Sequence, residues 1–421
     1  MSPAFKSLIS SAMPGRDVVF LLAPSIYLLV LPLAHTTALR SVSFAVSALL
    51  LVWTWRAYPA TSIPMKAAFA AWFVAGLFSL FWAVRPDFSL GEVKDEILYG
   101  FLVFLIFFKA TRSHYQLRLW QLVLSASGLL AGLVALVHFL RRLPPYDVGM
   151  LYGGALSYAG YMATILPTFA AITILNSGKR RIGMLCLMLF LLIMAFFTTN
   201  RGIWLYLLVE LVVFAILYLM RVDMQRHARR VAAAIFAMAI IVTVGTLLWA
   251  AKSRLGMTGG PAEIIAETAN ADLRPHLWKD SVMWIMQRPF TGAGFGTMVL
   301  GTELQAQQQN LHHTHAHNIL LNYALQLGLL GPLVVIFLFY SVGREFWKLV
   351  QSEDRELQIL GIAGISMVSG VLTAGMIEDL FGRHLGWLFW ALAGMTMGYA
   401  RNQPRDGNRA TSVQLRTHAQ Q

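Results

Sequence analysis

Apolar runs of about 17–22 residues recur along almost the whole chain, and few folds accept them. A run that long crosses the ~30 Å hydrocarbon core of a bilayer when wound at ~1.5 Å per residue. Lipid offers no hydrogen bonds, so each backbone amide must be satisfied within its own segment and the runs must be helices. Composition agrees: 13% of the 421 residues are charged and 57% are hydrophobic, whereas a soluble domain carries roughly 25% charged residues. A window of about 19 residues gives spans near 18–34, 39–55, 65–83, 96–108, 118–140, 155–176, 182–199, 202–220, 232–251, 317–340, 357–377 and 384–400. The expected fold is an all-α integral membrane protein of about 12 transmembrane helices.

Cations orient the spans, because cytoplasmic loops are enriched in Lys and Arg. One alternating set of loops holds Lys6 and Arg16, Arg56 and Lys66, Lys109, Arg112 and Arg118, and Lys179, Arg180 and Arg181. The same set continues with Arg221, Arg226, Arg229 and Arg230, then Arg344 and Lys348, then the tail with Arg401, Arg405, Arg409 and Arg416. This set is expected to be cytoplasmic, with both termini inside. Residues 1–251 then carry nine spans, 252–316 form one large external loop with short helices, 317–400 carry three more spans, and 401–421 are a polar cytoplasmic tail. Cations in the long loop do not contradict this, since long loops cross regardless of charge.

The formal net charge of +13 forms no single patch, so no nucleic-acid partner is expected. The lone cysteine, Cys186, lies in an apolar run, which leaves no internal disulfide and no cysteine metal site. The first apolar run is followed by more spans, so a cleavable signal peptide is not expected.

Four groups of residues carry possible chemistry. Thr198-Thr199-Asn200-Arg201-Gly202 stands where two spans meet on the external side. A cation at a helix N-terminus opposes the helix dipole. Arg201 therefore either snorkels to the interface or pairs with Glu210 deeper in its helix, or it is aimed at an anion, since guanidinium matches phosphate bidentately. In the external loop, Pro275 suits a helix start and Pro289 a helix end. Leu273, Leu277, Trp284 and Ile285 give that helix an apolar stripe to lie on the membrane domain, with Arg274 at its head. The Gly292-x-Gly294-x-Gly296 run has no preceding strand and reads as a turn, not a dinucleotide loop.

The third group is His312-His313-Thr314-His315-Ala316-His317-Asn318. No carboxylate or cysteine lies near to complete a metal site, and the spacing does not converge on one ion, so no metal is expected. At 100° per residue, Leu321, Ala324, Gly328 and Gly331 fall below His317 on one face whose lower part is small. The residues alone leave His317 either a structural interfacial histidine or a general base. Last, Glu378-Asp379 and Arg383 lie in the final external loop, as a self-paired turn or as support for the arginines.

The pattern His317-Asn318, nine residues, Gly328, two residues, Gly331 resembles the signature of bacterial O-antigen ligases. These sit in the superfamily of O-antigen ligases, polymerases and protein O-oligosaccharyltransferases. Arg201-Gly202 and the run from Arg274 through Leu277-Trp278 and Pro289 to Gly292-x-Gly294 extend the resemblance in the same order. The first half of the chain shares only hydropathy. The resemblance implies a GT-C-like membrane glycosyltransferase that takes polysaccharide from undecaprenyl diphosphate and passes it to the lipid A-core, at the periplasmic face of the bacterial inner membrane. It implies His317 as catalytic base and Arg201 and Arg274 as the diphosphate-binding pair. Asn318, Arg288, Glu378, Asp379 and Arg383 would support them, and Gly328 and Gly331 would pack helices. No cofactor or metal is implied, and no oligomeric state.

A protein O-oligosaccharyltransferase is the nearest rival, although its relatives usually extend further after the last span. A polysaccharide polymerase would lack the His-Asn, Gly, Gly pattern. A transporter would place ionisable residues or broken helices mid-span, and Glu210 is the clear mid-span case.

Overall fold

The computed structural model describes residues 15–55, 62–141, 154–197, 201–255, 274–300, 315–377 and 383–402. Regular structure among them is helical. In chain order the helices are α1 Gly15–Val30, α2 Thr37–Thr54, α3 Lys66–Phe78, α4 Pro86–Glu92, α5 Tyr99–Ala110, α6 His114–Leu140, α7 Gly154–Leu175 and α8 Gly178–Phe197. There follow α9 Arg201–Arg221, α10 Arg226–Leu255, α11 Arg274–Gln287, α12 Ile319–Leu327, α13 Leu330–Val350, α14 Arg355–Gly375 and α15 Arg383–Asn402.

Six of these are long and apolar enough to cross a membrane: Thr37–Thr54, His114–Leu140, Gly178–Phe197, Gly202–Arg221, Arg226–Trp249 and Arg355–Gly375. Phe20–Val30, Lys66–Trp82 and Gly160–Leu175 are shorter apolar helices. This all-helical, apolar build is that of an integral membrane protein. The remaining expected spans fall on α5, α12–α13 and α15.

Two expected spans differ in detail. The short fourth span belongs to a longer helical segment, because a π-helical turn over Val93–Leu98 joins α4 to α5. The tenth does not run unbroken from 317 to 340. It splits into α12 and α13 at Gly328, whose φ of +63° and ψ of −158° no helix can hold.

The helix ends follow local chemistry. Asp354 caps α14 by accepting from the N–H groups of Glu356 and Leu357 at 2.8 and 3.3 Å. Gln116 folds back at the head of α6 to accept from Arg112 and Ser113 at 2.7 and 2.8 Å.

Packing relies on small residues that let backbones approach, the usual device where lipid supplies no hydrophobic drive between helices. On α15, a Cβ at Gly394 would stand 2.5 Å from the carbonyl of Phe104 on α5. The antiparallel pair α9–α14 has a readable register. Ser366 donates to the carbonyl of Glu210 at 2.7 Å, and Gln358 donates to the carbonyl of Arg221 at 3.2 Å. Carried upward at the helical rise of ~1.5 Å per residue, that register brings the head of α9 level with the end of α14. The Glu210 carboxyl is buried against Gly370 of α14.

Candidate active site around the His317 turn

α12 is nine residues long, too short to stand alone, since isolated helices below about 12–15 residues are marginal. Its surroundings hold it at both ends. At the start, the Asn318 side chain accepts from the N–H groups of Leu320 and Leu321 at 3.0 and 3.1 Å. The same amide donates through Nδ2 to the carbonyl of Met376 at 3.3 Å, just past the end of α14. Asn322 Oδ1 accepts the Ala316 N–H at 2.7 Å, and Trp278 Nε1 donates to the Ala316 carbonyl at 3.1 Å. The backbone leading into His317 is thus fixed from α11 and α12 together.

His317 is half-buried and takes a left-handed φ of +49°. Among residues with a side chain, histidine is one of those enriched in that region. Its N–H donates to Nδ1 of His315 at 3.2 Å, and the two rings lie 4.0 Å apart.

The far end of α12 ends in carbonyls that lack partners in their own helix. The glycine-rich turn supplies them: Ala293 donates to the carbonyl of Leu325 at 2.8 Å and Gly294 to that of Gln326 at 3.0 Å. Gly296 donates to Gln326 Oε1 at 2.9 Å. The turn is tied on its other side to the segment after α3, by Val84 N–H to Ala293 O at 2.8 Å and Phe295 N–H to Ser79 Oγ at 3.1 Å. Gly292, Gly294 and Gly296 all have positive φ.

The glycines of the His-Asn, Gly, Gly pattern do different work from that expected of one helix face. His317 precedes α12 and Gly328 ends it, so the two share no face with Leu321 and Ala324. Gly328 is required because its φ is +63° and because a Cβ there would run into the Pro289 carbonyl. Gly331 sits against the Tyr323 carbonyl, which brings α13 onto α12.

Arg274 opens α11 and is half-buried. It lies one turn before Trp278 on the same face, hence one turn from the side chain that holds Ala316. Leu277, Ser281 and Ile285 form the buried face of that helix. Arg201 opens α9, and the register above sets its backbone level with the end of α14, past which Asn318 holds the Met376 carbonyl. The heads of α9 and α11 and the His317 turn therefore lie toward one end of the bundle. Arg288 is exposed beyond the end of α11, and Arg383 opens α15. Glu378 and Asp379 lie outside the described residues, as do His312 and His313. Among the described residues no group of three His, Cys, Asp or Glu is placed to hold a metal ion.

Beside this site lie polar residues that hydropathy alone did not single out. Glu92 and Glu96 are buried in and before the π-turn, and Tyr323 of α12 donates its hydroxyl to Glu96 Oε1. The signal was present: two carboxylates at the margin of an apolar run, one at its first position and one four residues before it, have to be matched by donors elsewhere.

Fold and site together describe an all-helical membrane protein whose short, pinned helix presents a histidine at one end of the bundle, level with the heads of two arginine-led helices. Residues 186–336 match the family model described as O-antigen ligase. The matched stretch begins inside α8 and ends inside α13, and it contains Arg201, Arg274 and His317. No curated protein matches the chain.

Proposed function

We propose that the protein is an O-antigen ligase of the bacterial inner membrane, moving polysaccharide from undecaprenyl diphosphate to the lipid A-core at the periplasmic face. In this reading the chain has about 12 spans with both termini cytoplasmic, and the segment 252–316 is a periplasmic cap. A sugar hydroxyl of the core attacks the anomeric carbon of the donor while the bond to the diphosphate oxygen breaks. His317 takes the hydroxyl proton. The diphosphate leaves as a stable anion, so it requires charge neutralisation and no general acid; Arg201 and Arg274 supply it. Asn318 holds the histidine turn, Gly328 and Gly331 pack the helices that follow it, and Arg288, Glu378, Asp379 and Arg383 support the arginine pair. Neither metal nor nucleotide has a part.

The observation that carries this reading is the His317 turn, tied through Trp278 to the helix that Arg274 heads, within the stretch that matches the ligase family. The test is the surface polysaccharide of a deletion strain. Loss of long chains from lipid A with accumulation of lipid-linked polymer supports the ligase. Accumulation of short lipid-linked units instead means a polymerase, and intact lipopolysaccharide with unglycosylated periplasmic protein means a protein O-oligosaccharyltransferase.

A further inference from the structure

We propose that His315 is a positioning residue for His317, an inference that rests on the base role given to His317 above. The His317 N–H donates to Nδ1 of His315 at 3.2 Å. A side-chain acceptor that takes the N–H two residues ahead has the geometry of an Asx turn, with a ring nitrogen where Asn or Asp would offer oxygen. As an acceptor, Nδ1 is unprotonated, which assigns the proton of a neutral His315 ring to Nε2.

His317 needs this support. Its φ of +49° lies in a region where L-residues crowd Cβ against the next carbonyl. Ala316, between the two histidines, is held at its N–H by Asn322 and at its carbonyl by Trp278, at 2.7 and 3.1 Å. The His315 bond is what holds the next N–H in line. Losing it is expected to let the His317 backbone shift toward negative φ and to displace its imidazole, whereas Asn318 still caps α12 through its own bonds to Leu320 and Leu321. Arg201 and Arg274 head other helices and are left in place, so the change falls on the catalytic step and not on donor binding.

The experiment is transfer kinetics with the purified full-length protein, undecaprenyl-diphosphate-linked polysaccharide and lipid A-core acceptor. His315→Ala is expected to lower kcat by about 10- to 100-fold, the scale set by a misplacement of ~1 Å at the reacting centre, with the donor KM unchanged. His315→Asn, which keeps the acceptor at the same reach, restores most of kcat. His315→Gln carries its acceptor one bond too far for the turn and behaves like alanine. Wild-type kcat in His315→Ala overturns the inference, and so does equal kcat in the Asn and Gln variants. That pair also decides the matter if the alanine protein does not fold. His317→Ala is run alongside: full activity there removes the base itself, an outcome distinct from the failure of His315 alone.

Discussion

Trp278 donates its indole N–H to the carbonyl of Ala316 at 3.1 Å, which bolts the helix headed by Arg274 to the residue before His317. One side chain thus couples the two halves of the proposed site. Trp278→Phe keeps the ring and removes the donor, at a stability cost of ~0.5–1.5 kcal/mol for one hydrogen bond. Transfer by membranes holding normal amounts of the variant is expected to fall roughly 10-fold, below the ~100-fold of a full ångström's misplacement. Unchanged transfer would mean that the bond does not set the geometry of the site.

Charge type is tested at the arginines. Arg201→Lys and Arg274→Lys keep the positive charge but lose the fork that grips two phosphate oxygens. Each is expected to lose most transfer at normal protein levels, measured as ligated polysaccharide, and residual activity is expected to survive chelator. Full activity in both lysine proteins would remove the diphosphate clamp.

Gly328 and Gly343 separate backbone need from mere composition. At Gly328, φ is +63° and a Cβ meets the Pro289 carbonyl, so Gly328→Ala is expected to destabilise by at least ~1–2 kcal/mol. Gly343, within α13, has nothing within 4 Å of an added Cβ, and Gly343→Ala is expected to stay within about 0.5 kcal/mol of wild type or to stabilise slightly. Thermal unfolding of the two purified proteins checks the contrast.

What the sequence makes legible follows from where its information is local. Run length and charge placement are local, and they fix the spans to within a few residues in helices such as α2, α6, α9 and α14. The break at Gly328 was missed because Leu321 through Gly331 keep an apolar, helix-like pattern. The need for a turn there comes from Pro289 and Tyr323, which arrive from other segments. The same holds for Glu96. Its partner Tyr323 lies more than 200 residues away, so periodicity within one run cannot announce the pair. Arg201 and Arg274 stand out as cations at helix starts, where the dipole disfavours them. Their common level with His317 emerges only from the α9–α14 register and the Trp278 bond.

Orientation is tested by reporter fusions. Fusions after residues near 225 and 350 are expected to read cytoplasmic, and fusions near 265 and 300 to read periplasmic. A cytoplasmic signal from residue 265 would put the His317 turn on the wrong side of the membrane for this chemistry.

The central claim, that His317 is the base, is met most directly by measuring transfer in membranes containing His317→Ala, with protein and lipid-linked donor quantified in parallel. A base contributes roughly 10²–10⁴ in rate. The expected result is therefore absence of ligated polysaccharide against a normal pool of donor, with His312→Ala and His313→Ala still active. Unchanged transfer in His317→Ala would leave the mechanism without its base, and equal loss at His313 and His317 would point to a metal site in its place.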